Sequence, residues 1–275
     1  MIDARRGILY PGRMPRFHRL PPTASAEHLV AWFWIPEWDL PPGESSRQEV
    51  VAYPALNLVA DPSGLQLVGA TTRATHRDLT GSGWAVGALL RPAGVAALTD
   101  APAALRDSWA SLEAPEMLAR LTAVMAADGG ERIDGAVSIV SQWLADRAGA
   151  PTDAGLQANA MSDLLMTDAT VRTAEQAATR LAVSLRTLQR MTHRYVGLPP
   201  LAMIRRRRLQ DAAQRLRENP DADLAALAAE LGYADHAHLT GDFRDVLGVV
   251  PSGYRRELSG AVLRSGVAAS HHDLL

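Results

Sequence analysis

The sequence predicts an α+β protein in which a small antiparallel β-domain precedes an all-α domain. Short strand-forming segments separated by proline and glycine fill much of the first half. In the last third, an alanine-rich helix, a tight turn and a polar second helix occur in the same order twice. With 275 residues, the chain is long enough for two domains.

The N-terminal domain is predicted to span residues 1–148. Valine, tryptophan and other strand formers are frequent in its candidate strands, which lie at residues 28–35, 49–61, 65–72 and 83–90. These strands favour a small barrel or sandwich, and two helices are predicted after them, at 112–129 and 135–149. Glycine, proline and small polar residues then predict a linker at 149–155.

The first repeated unit spans residues 173–195. Thr173 and Gln176 have the spacing of a capping box, and Ser184 is a good N-cap for the second helix. The inward positions of that helix are predicted to be Leu185, Leu188 and Met191. Helix, turn and polar second helix is the layout of a DNA-binding helix-turn-helix, although a single such unit is also compatible with an ordinary helical hairpin.

Polar side chains on the other faces of this second helix are candidates for DNA contact. Arginine can bind guanine and glutamine can bind adenine through two hydrogen bonds in the major groove. We therefore predict base contacts for Arg186, Gln189 and Arg190, and phosphate contacts for Ser184, Thr187 and Arg194.

The second unit, residues 223–247, repeats the layout with fewer donors. Asp223 and Asp235 are the predicted caps, and Gly232 stands where the turn requires a positive φ. The predicted base contacts are His236, Ala237 and His238, and the predicted phosphate contacts are Thr240 and Arg244. His236 and His238 lie two residues apart, which places them on different helix faces and makes them a poor metal pair.

A helix rich in arginine is predicted between the two units. Residues 199–217 would span roughly 28 Å at about 1.5 Å per residue. Successive major-groove windows on one face of B-DNA are about 34 Å apart, so one chain can offer both recognition helices to neighbouring grooves. Within this helix, Arg205 and Arg206 are predicted to contact phosphate, while other members of the run 205–208 are expected to be solvated.

Charge is distributed unevenly along the chain. The formal net charge is −2, but residues 172–217 contain eleven arginines against Glu175 and Asp211. This local excess is typical of a surface that binds phosphate, whereas the overall charge argues against indiscriminate DNA coating.

Three segments carry a family resemblance: RTLQRMTHRYVGLPP, RRRRLQDAAQRL and LAALAAELGYADHAHLTGDFRDVLGVVPSGYRR. They resemble the DNA-binding domain of the AraC/XylS family of bacterial transcription regulators over about residues 156–257, and we place the domain at 156–258. The resemblance implies that the first recognition helix reads bases with Arg186, Gln189 and Arg190. It implies the same role for His236, Ala237 and His238 in the second.

The chain departs from that family pattern at two positions. Gly241 stands where members usually have a DNA-contacting arginine, and Ala182 occupies a turn position that is often glycine. We therefore hypothesise that the second unit reads sequence weakly and mainly holds the register on DNA.

The N-terminal half resembles, more loosely, a domain of unknown function that accompanies this DNA-binding module in one branch of the family. In better understood relatives, a cupin-like barrel in this position binds an effector or dimerises. The resemblance makes a small-molecule effector and a homodimer candidate partners. Candidate pocket residues are Trp32, Trp34, Trp38, Tyr53, Trp84 and Arg91. Aromatic residues at strand spacing are more often plain core than pocket lining, and Arg91 is at least as compatible with a surface salt bridge.

Other classes of function receive little support. The chain has no cysteine, which excludes thiol nucleophiles, cysteine-ligated zinc and alkyl transfer onto cysteine. His18, His28 and His76 lack metal-ligand spacing, and neither a phosphate loop nor a nucleophile elbow is present. We expect no metal, no cofactor and no enzymatic activity, with a metal-dependent cupin enzyme as the weakest alternative.

The predicted partners are double-stranded promoter DNA and, as a candidate, RNA polymerase. The N-terminus lacks an apolar signal core, and no apolar run approaches the ~20 residues of a membrane span. We therefore expect a cytoplasmic protein without membrane contact. Residues 259–275 are predicted to be a flexible tail. Two roles for the N-terminal domain stay open: binding of an effector, or dimerisation and protein docking alone.

Overall fold

Antiparallel strands make up the first part of the chain. The computed structural model describes residues 16–50, 54–127, 129–256 and 258. Its strands are β1 Arg16–Leu20, β2 Val30–Asp39, β3 Ser45–Val50, β4 Asn57–Asp61, β5 Gly64–Val68, β6 Thr75–Thr80, β7 Ser82–Trp84, β8 Val86–Leu90 and β9 Trp109–Leu112. The predicted pocket residue Tyr53 and the predicted tail lie outside the described residues.

The larger sheet has the strand order β1-β2-β8-β4-β5-β9, and β7 also pairs with β2. β3 and β6 form a separate two-stranded sheet. All described strand pairs are antiparallel, as the sequence predicts. The larger sheet is an open path in the described part of the chain, because no pairing joins its end strands β1 and β9.

Helices cover one face of this sheet. The helices of this half are α1 Pro92–Ala96, α2 Pro115–Ala126 and α3 Arg132–Ala148. Phe33 and Ile35, two residues apart on β2, point into the same core as Leu121 of α2 and Leu144 of α3. This alternation is what a strand with one buried face requires. The predicted α+β class and both predicted helices are thus confirmed.

The C-terminal part is helical. Its helices are α4 Asp153–Thr167, α5 Ala174–Arg180, α6 Leu185–Tyr195, α7 Pro200–Glu218, α8 Leu224–Glu230 and α9 His236–Leu247. Residues 251–256 are also helical. The pairs α5–α6 and α8–α9 occupy the two predicted helix-turn-helix units, and α7 joins them.

Side-chain caps fix where the short helices begin. Thr173 and Gln176 form both hydrogen bonds of the capping box at the start of α5. The Ser184 hydroxyl accepts from the backbone N–H of Thr187, and Asp235 accepts from that of His238. Such caps satisfy backbone donors that a helix cannot satisfy itself, and each contributes about 1 kcal/mol.

The residues predicted to form a linker are partly helical. α4 begins at Asp153, and its Asn159 side chain bonds to two N-terminal backbone groups. Asn159 donates to the carbonyl of His28 over 2.8 Å and accepts from the N–H of Ala93 over 3.0 Å. On its other side, α4 places Met161 and Leu165 in the core that also contains Leu188 of α6 and Met203 of α7. α4 therefore belongs to the packing of both halves.

The two helix-turn-helix turns share one backbone conformation. Ala182, between α5 and α6, has a φ of 53°, and Gly232, between α8 and α9, has a φ of 75°. Glycine adopts this left-handed region freely, whereas a Cβ atom makes it unfavourable by about 1 kcal/mol or more. Ala182 is therefore a strained position.

We predict that Ala182→Gly raises the free energy of unfolding by about 0.5–1 kcal/mol, because relief of strain exceeds the added entropy of the unfolded chain. Urea denaturation measures the change. Gly232→Ala is the converse control and should lower stability, since its Cβ would also meet the Arg172 side chain at 2.9 Å. A loss of stability in Ala182→Gly would contradict the assignment.

Candidate nucleic-acid interface

Helix α6 presents a polar face to solvent. Arg186, Gln189 and Arg190 are all exposed, and their spacing of three and four residues places them on adjacent turns. Leu188 and Thr192 are buried on the opposite side. Among the described residues, no carboxylate forms an ion pair with Arg186 or Arg190. The three predicted base-contacting side chains are therefore brought together on one accessible surface.

The predicted phosphate contacts of this unit border that surface. The hydroxyls of Ser184 and Thr187 lie 2.9 Å apart at the first turn of α6. In the last turn, the exposed Arg194 guanidinium lies 5.4 Å from the centre of the Tyr195 ring. The positive end of a helix dipole and its free N–H groups favour a phosphate at the capped end.

Helix α9 offers a smaller polar face. His236, Ala237 and His238 are exposed at its first turn, while Leu239 and Phe243 are buried. The rings of His238 and Tyr233 meet edge to face with centroids 5.2 Å apart.

The remaining residues of that face are polar or small. Thr240 is half-buried and Arg244 is exposed. A Cβ built on Gly241 would meet no atom within 4 Å, so the position is open to a larger side chain. Donors are thus fewer than on α6, as the sequence predicts.

The arginine run on α7 differs from the prediction. Arg206 is 3% exposed and donates to the carbonyl of Thr71 over 2.7 Å. Burial lowers the pKa of Arg206 to about 10, so the group stays charged at neutral pH. The prediction that Arg206 contacts phosphate is wrong for this structure, because its guanidinium faces the N-terminal domain. Arg205 pairs with Asp242 over 2.6 Å, and its predicted phosphate contact stays a prediction.

The next two arginines are also held inside the protein. Arg207 is 1% exposed and donates to the carbonyls of Leu165 over 3.1 Å, Val171 over 2.5 Å, and Asp168. Arg208 lies over the Tyr233 ring, 3.9 Å from its centre. Arg206, Arg207 and Arg208 therefore hold α7 in place and leave phosphate binding to other residues. The sequence does contain an indication that Arg207 is buried. Met203, Arg207 and Gln210 follow one another at helical spacing and form one buried row on α7.

The predicted pocket residues of the N-terminal domain are not all gathered in one place. Trp32, Trp34 and Trp38 share one face of β2, and the Trp34 indole donates to Asn57 over 3.1 Å. Trp84 pairs with Glu37 and packs against the core on the opposite face, because neighbouring strand positions point to opposite sides.

Arg91 also lies apart from the tryptophans. It forms an ion pair with Asp163 of α4 over 2.5 Å, which agrees with the salt-bridge alternative. This pair links the two halves of the protein. A single pocket formed by all the predicted residues is therefore not what the described residues show.

Neither metal sites nor membrane spans are found in the described ranges. No cluster of three or more histidine, aspartate or glutamate side chains there could hold a metal ion. None of the described helices combines the length and apolar character that crossing a bilayer requires.

Two family models match separate parts of the chain. Residues 177–257 match a helix-turn-helix domain model, and residues 18–109 match a domain of unknown function, DUF6597. Two Streptomyces proteins provisionally named AraC-like transcription regulators are similar to this chain. The relative from S. antibioticus is 35% identical over 45% of this chain and 39% of its own length. The relative from S. lividans is 36% identical over 42% of this chain and 36% of its own.

The matched region spans about two fifths of these curated relatives. A crystal structure of an apo ToxT variant from Vibrio cholerae is similar over 86% of this chain and 99% of its own, with 13% identity and a TM-score of 0.43. The sequence matches identify the C-terminal segment as a helix-turn-helix domain of the AraC type.

We predict that Arg206→Met lowers the free energy of unfolding by about 1–3 kcal/mol, because the Thr71 carbonyl loses its charged donor inside the protein. Chemical denaturation of the full chain measures this loss. Arg194→Met is the matched control on the exposed surface and should change stability by no more than about 0.5 kcal/mol. Equal stability of both variants would contradict the buried role of Arg206.

Proposed function

We propose that this chain, whose C-terminal segment is an AraC-type helix-turn-helix domain, is a sequence-specific DNA-binding transcription regulator. The observation that carries the proposal is the pair of capped second helices, α6 and α9, whose polar faces are exposed on one chain. Each would enter a major groove, with α7 between them.

Helix α6 is the main reader in this proposal. The guanidinium groups of Arg186 and Arg190 can each donate two hydrogen bonds to guanine O6 and N7, and the Gln189 amide can pair with adenine. These side chains are exposed and form no ion pair with a described carboxylate. Few interactions within the protein therefore have to be broken before they bind DNA. Arg194 and the first-turn hydroxyls would position the helix on phosphates.

Helix α9 would mainly hold the protein in register on the DNA. Its first turn offers two imidazoles and the methyl group of Ala237, and Gly241 supplies no donor. We propose that α9 anchors the second groove through Thr240, Arg244 and its N-terminal N–H groups, with limited base selection by His236 and His238.

The connector sets the distance between the two readers. α7 spans 19 residues, or roughly 28 Å, against about 34 Å between neighbouring groove windows. Arg207 fixes α7 to the end of α4 and the loop that leads into the first unit, and Arg208 stacks on Tyr233 of the second unit. Such a connector would present α6 and α9 to the same face of the duplex.

The N-terminal domain would control this arrangement through direct contact. Its Ala74 N–H donates to the carbonyl of Val246 on α9 over 2.6 Å, and its Thr71 carbonyl accepts from α7. A small-molecule effector, a second copy of the chain or RNA polymerase acting on this domain would therefore reach both readers. An effector is favoured over pure docking if a ligand raises the melting temperature and changes DNA affinity together.

We predict that Arg190→Ala weakens binding to a preferred duplex by about 1–3 kcal/mol and flattens base preference, because a bidentate base contact is lost. Fluorescence anisotropy with the preferred duplex and a random duplex measures both values. Arg194→Ala should weaken the two duplexes alike, since a phosphate contact carries no sequence information. An equal loss of affinity for both duplexes in Arg190→Ala would contradict the proposed base contact of Arg190.

A second prediction concerns the open position on α9. Gly241→Arg should raise specific affinity roughly tenfold, because it restores a donor to the second groove at a site without steric conflict. Gly241→Ala is the control for helix propensity, which alone is worth about 1 kcal/mol of stability. If Gly241→Arg gains no more affinity than Gly241→Ala, the register hypothesis for α9 fails.

A further inference from the structure

The N-terminal domain touches the end of the first recognition helix. The short 3-10 helix Pro102–Leu105 packs against the turn that follows α6. Gly197 in that turn has a φ of 80°, and a Cβ there would lie 2.8 Å from the Ala103 Cα and the Pro102 carbonyl oxygen. Only glycine permits this approach, so the two segments are held in direct contact.

Arg106 follows this 3-10 helix and lines an open cleft of about 370 Å³ with two polar residues of α6. Gln189 and His193 lie four residues apart on one side of α6 and form its wall of the cleft. Arg106, Gln189 and His193 are all exposed. The N-terminal domain thus adds a guanidinium beside the face of α6 assigned to DNA.

The charge of Arg106 is not neutralised by its neighbour. Asp107 has a φ of 57°, and its carboxylate accepts from the N–H of Thr72 over 2.6 Å and from the Thr72 hydroxyl over 2.8 Å. Within the described ranges, the Arg106 side chain has neither an ion pair nor a hydrogen bond. An exposed guanidinium that is left unpaired in this way is suited to an anionic partner.

We propose that Arg106 is a DNA phosphate contact supplied by the N-terminal domain, bound to the backbone that borders the groove entered by α6. The inference rests on the proposed function. A phosphate is favoured over a base because the N-terminal residues of a recognition helix read base edges, whereas Arg106 lies near its C-terminal half.

The opposite role for the contact between the N-terminal domain and α6 would be to cover the recognition helix and keep it from DNA. The four polar residues Arg186, Gln189, Arg190 and His193 all remain exposed although the N-terminal domain is docked. The docked domain therefore borders the reading face without covering it. A positive charge at that border attracts the negatively charged backbone and extends the surface formed by Arg194 and the α6 cap.

The test is a salt titration of the full chain on a random-sequence duplex, comparing wild type with Arg106→Gln. Loss of one phosphate contact makes the negative slope of log K against log salt less steep by about 0.9 and weakens binding roughly three- to tenfold at 0.1 M salt. Arg106→Lys keeps the charge and should retain most of the slope. Arg120→Gln removes the same charge from the exposed surface of α2, whose packing partner is α3, and should change the slope little.

Each outcome has a defined meaning. An unchanged slope in Arg106→Gln, or a fall no larger than that of Arg120→Gln, overturns the proposal. Tighter binding by Arg106→Gln also overturns it and assigns occlusion to the contact. Failure of the proposed function is distinguishable, since wild type itself would then bind no duplex or Arg190→Ala would lose no base preference. Circular dichroism spectra that match wild type establish that the variants are folded.

Discussion

The position of both candidate reading helices depends on guanidinium groups held inside the protein along α7. Arg207 donates to three carbonyls around the end of α4, Arg206 donates to Thr71 of the N-terminal domain, and Arg208 stacks on Tyr233 beside α9. A buried charge is costly unless it is hydrogen-bonded, so the guanidinium groups of Arg206 and Arg207 are stable only where their carbonyl partners are placed. These contacts hold α7 against three parts of the molecule: the end of α4, the N-terminal domain and the region beside α9. They favour one arrangement of these parts relative to each other.

Contact between the two halves extends the same constraint. Asn159 of α4 bonds to two neighbouring backbone groups of the N-terminal domain, and Gly197 admits the 3-10 helix against the end of α6. The backbone bond from Ala74 to Val246 adds a contact at α9. A shift of the N-terminal domain would therefore change the relative placement of α6 and α9. In the proposed regulator, this link would allow a ligand on the N-terminal domain to change DNA binding without touching the DNA.

Features that depend on neighbouring residues could be predicted from the sequence, whereas contacts between residues far apart in the chain could not. Caps such as Ser184 and the turn at Gly232 depend on a few neighbouring residues, so the sequence predicted both units and the exposed face of α6. The buried state of Arg206 depends on the carbonyl of Thr71, which lies 135 residues away, and a count of charges cannot reveal it. The sequence does not separate Trp84 from the other tryptophans, because the face on which it lies is decided by strand register, and that register is fixed only by pairing with β2.

Selection of bound sequences from a random DNA pool by the full chain, at stated salt, tests the central claim most directly. If one chain places two readers in neighbouring grooves, the enriched sites contain two boxes whose centres are about 10 base pairs apart, with stronger preference in the box read by α6. Enrichment of a single box, or no enrichment of any sequence, would contradict this account.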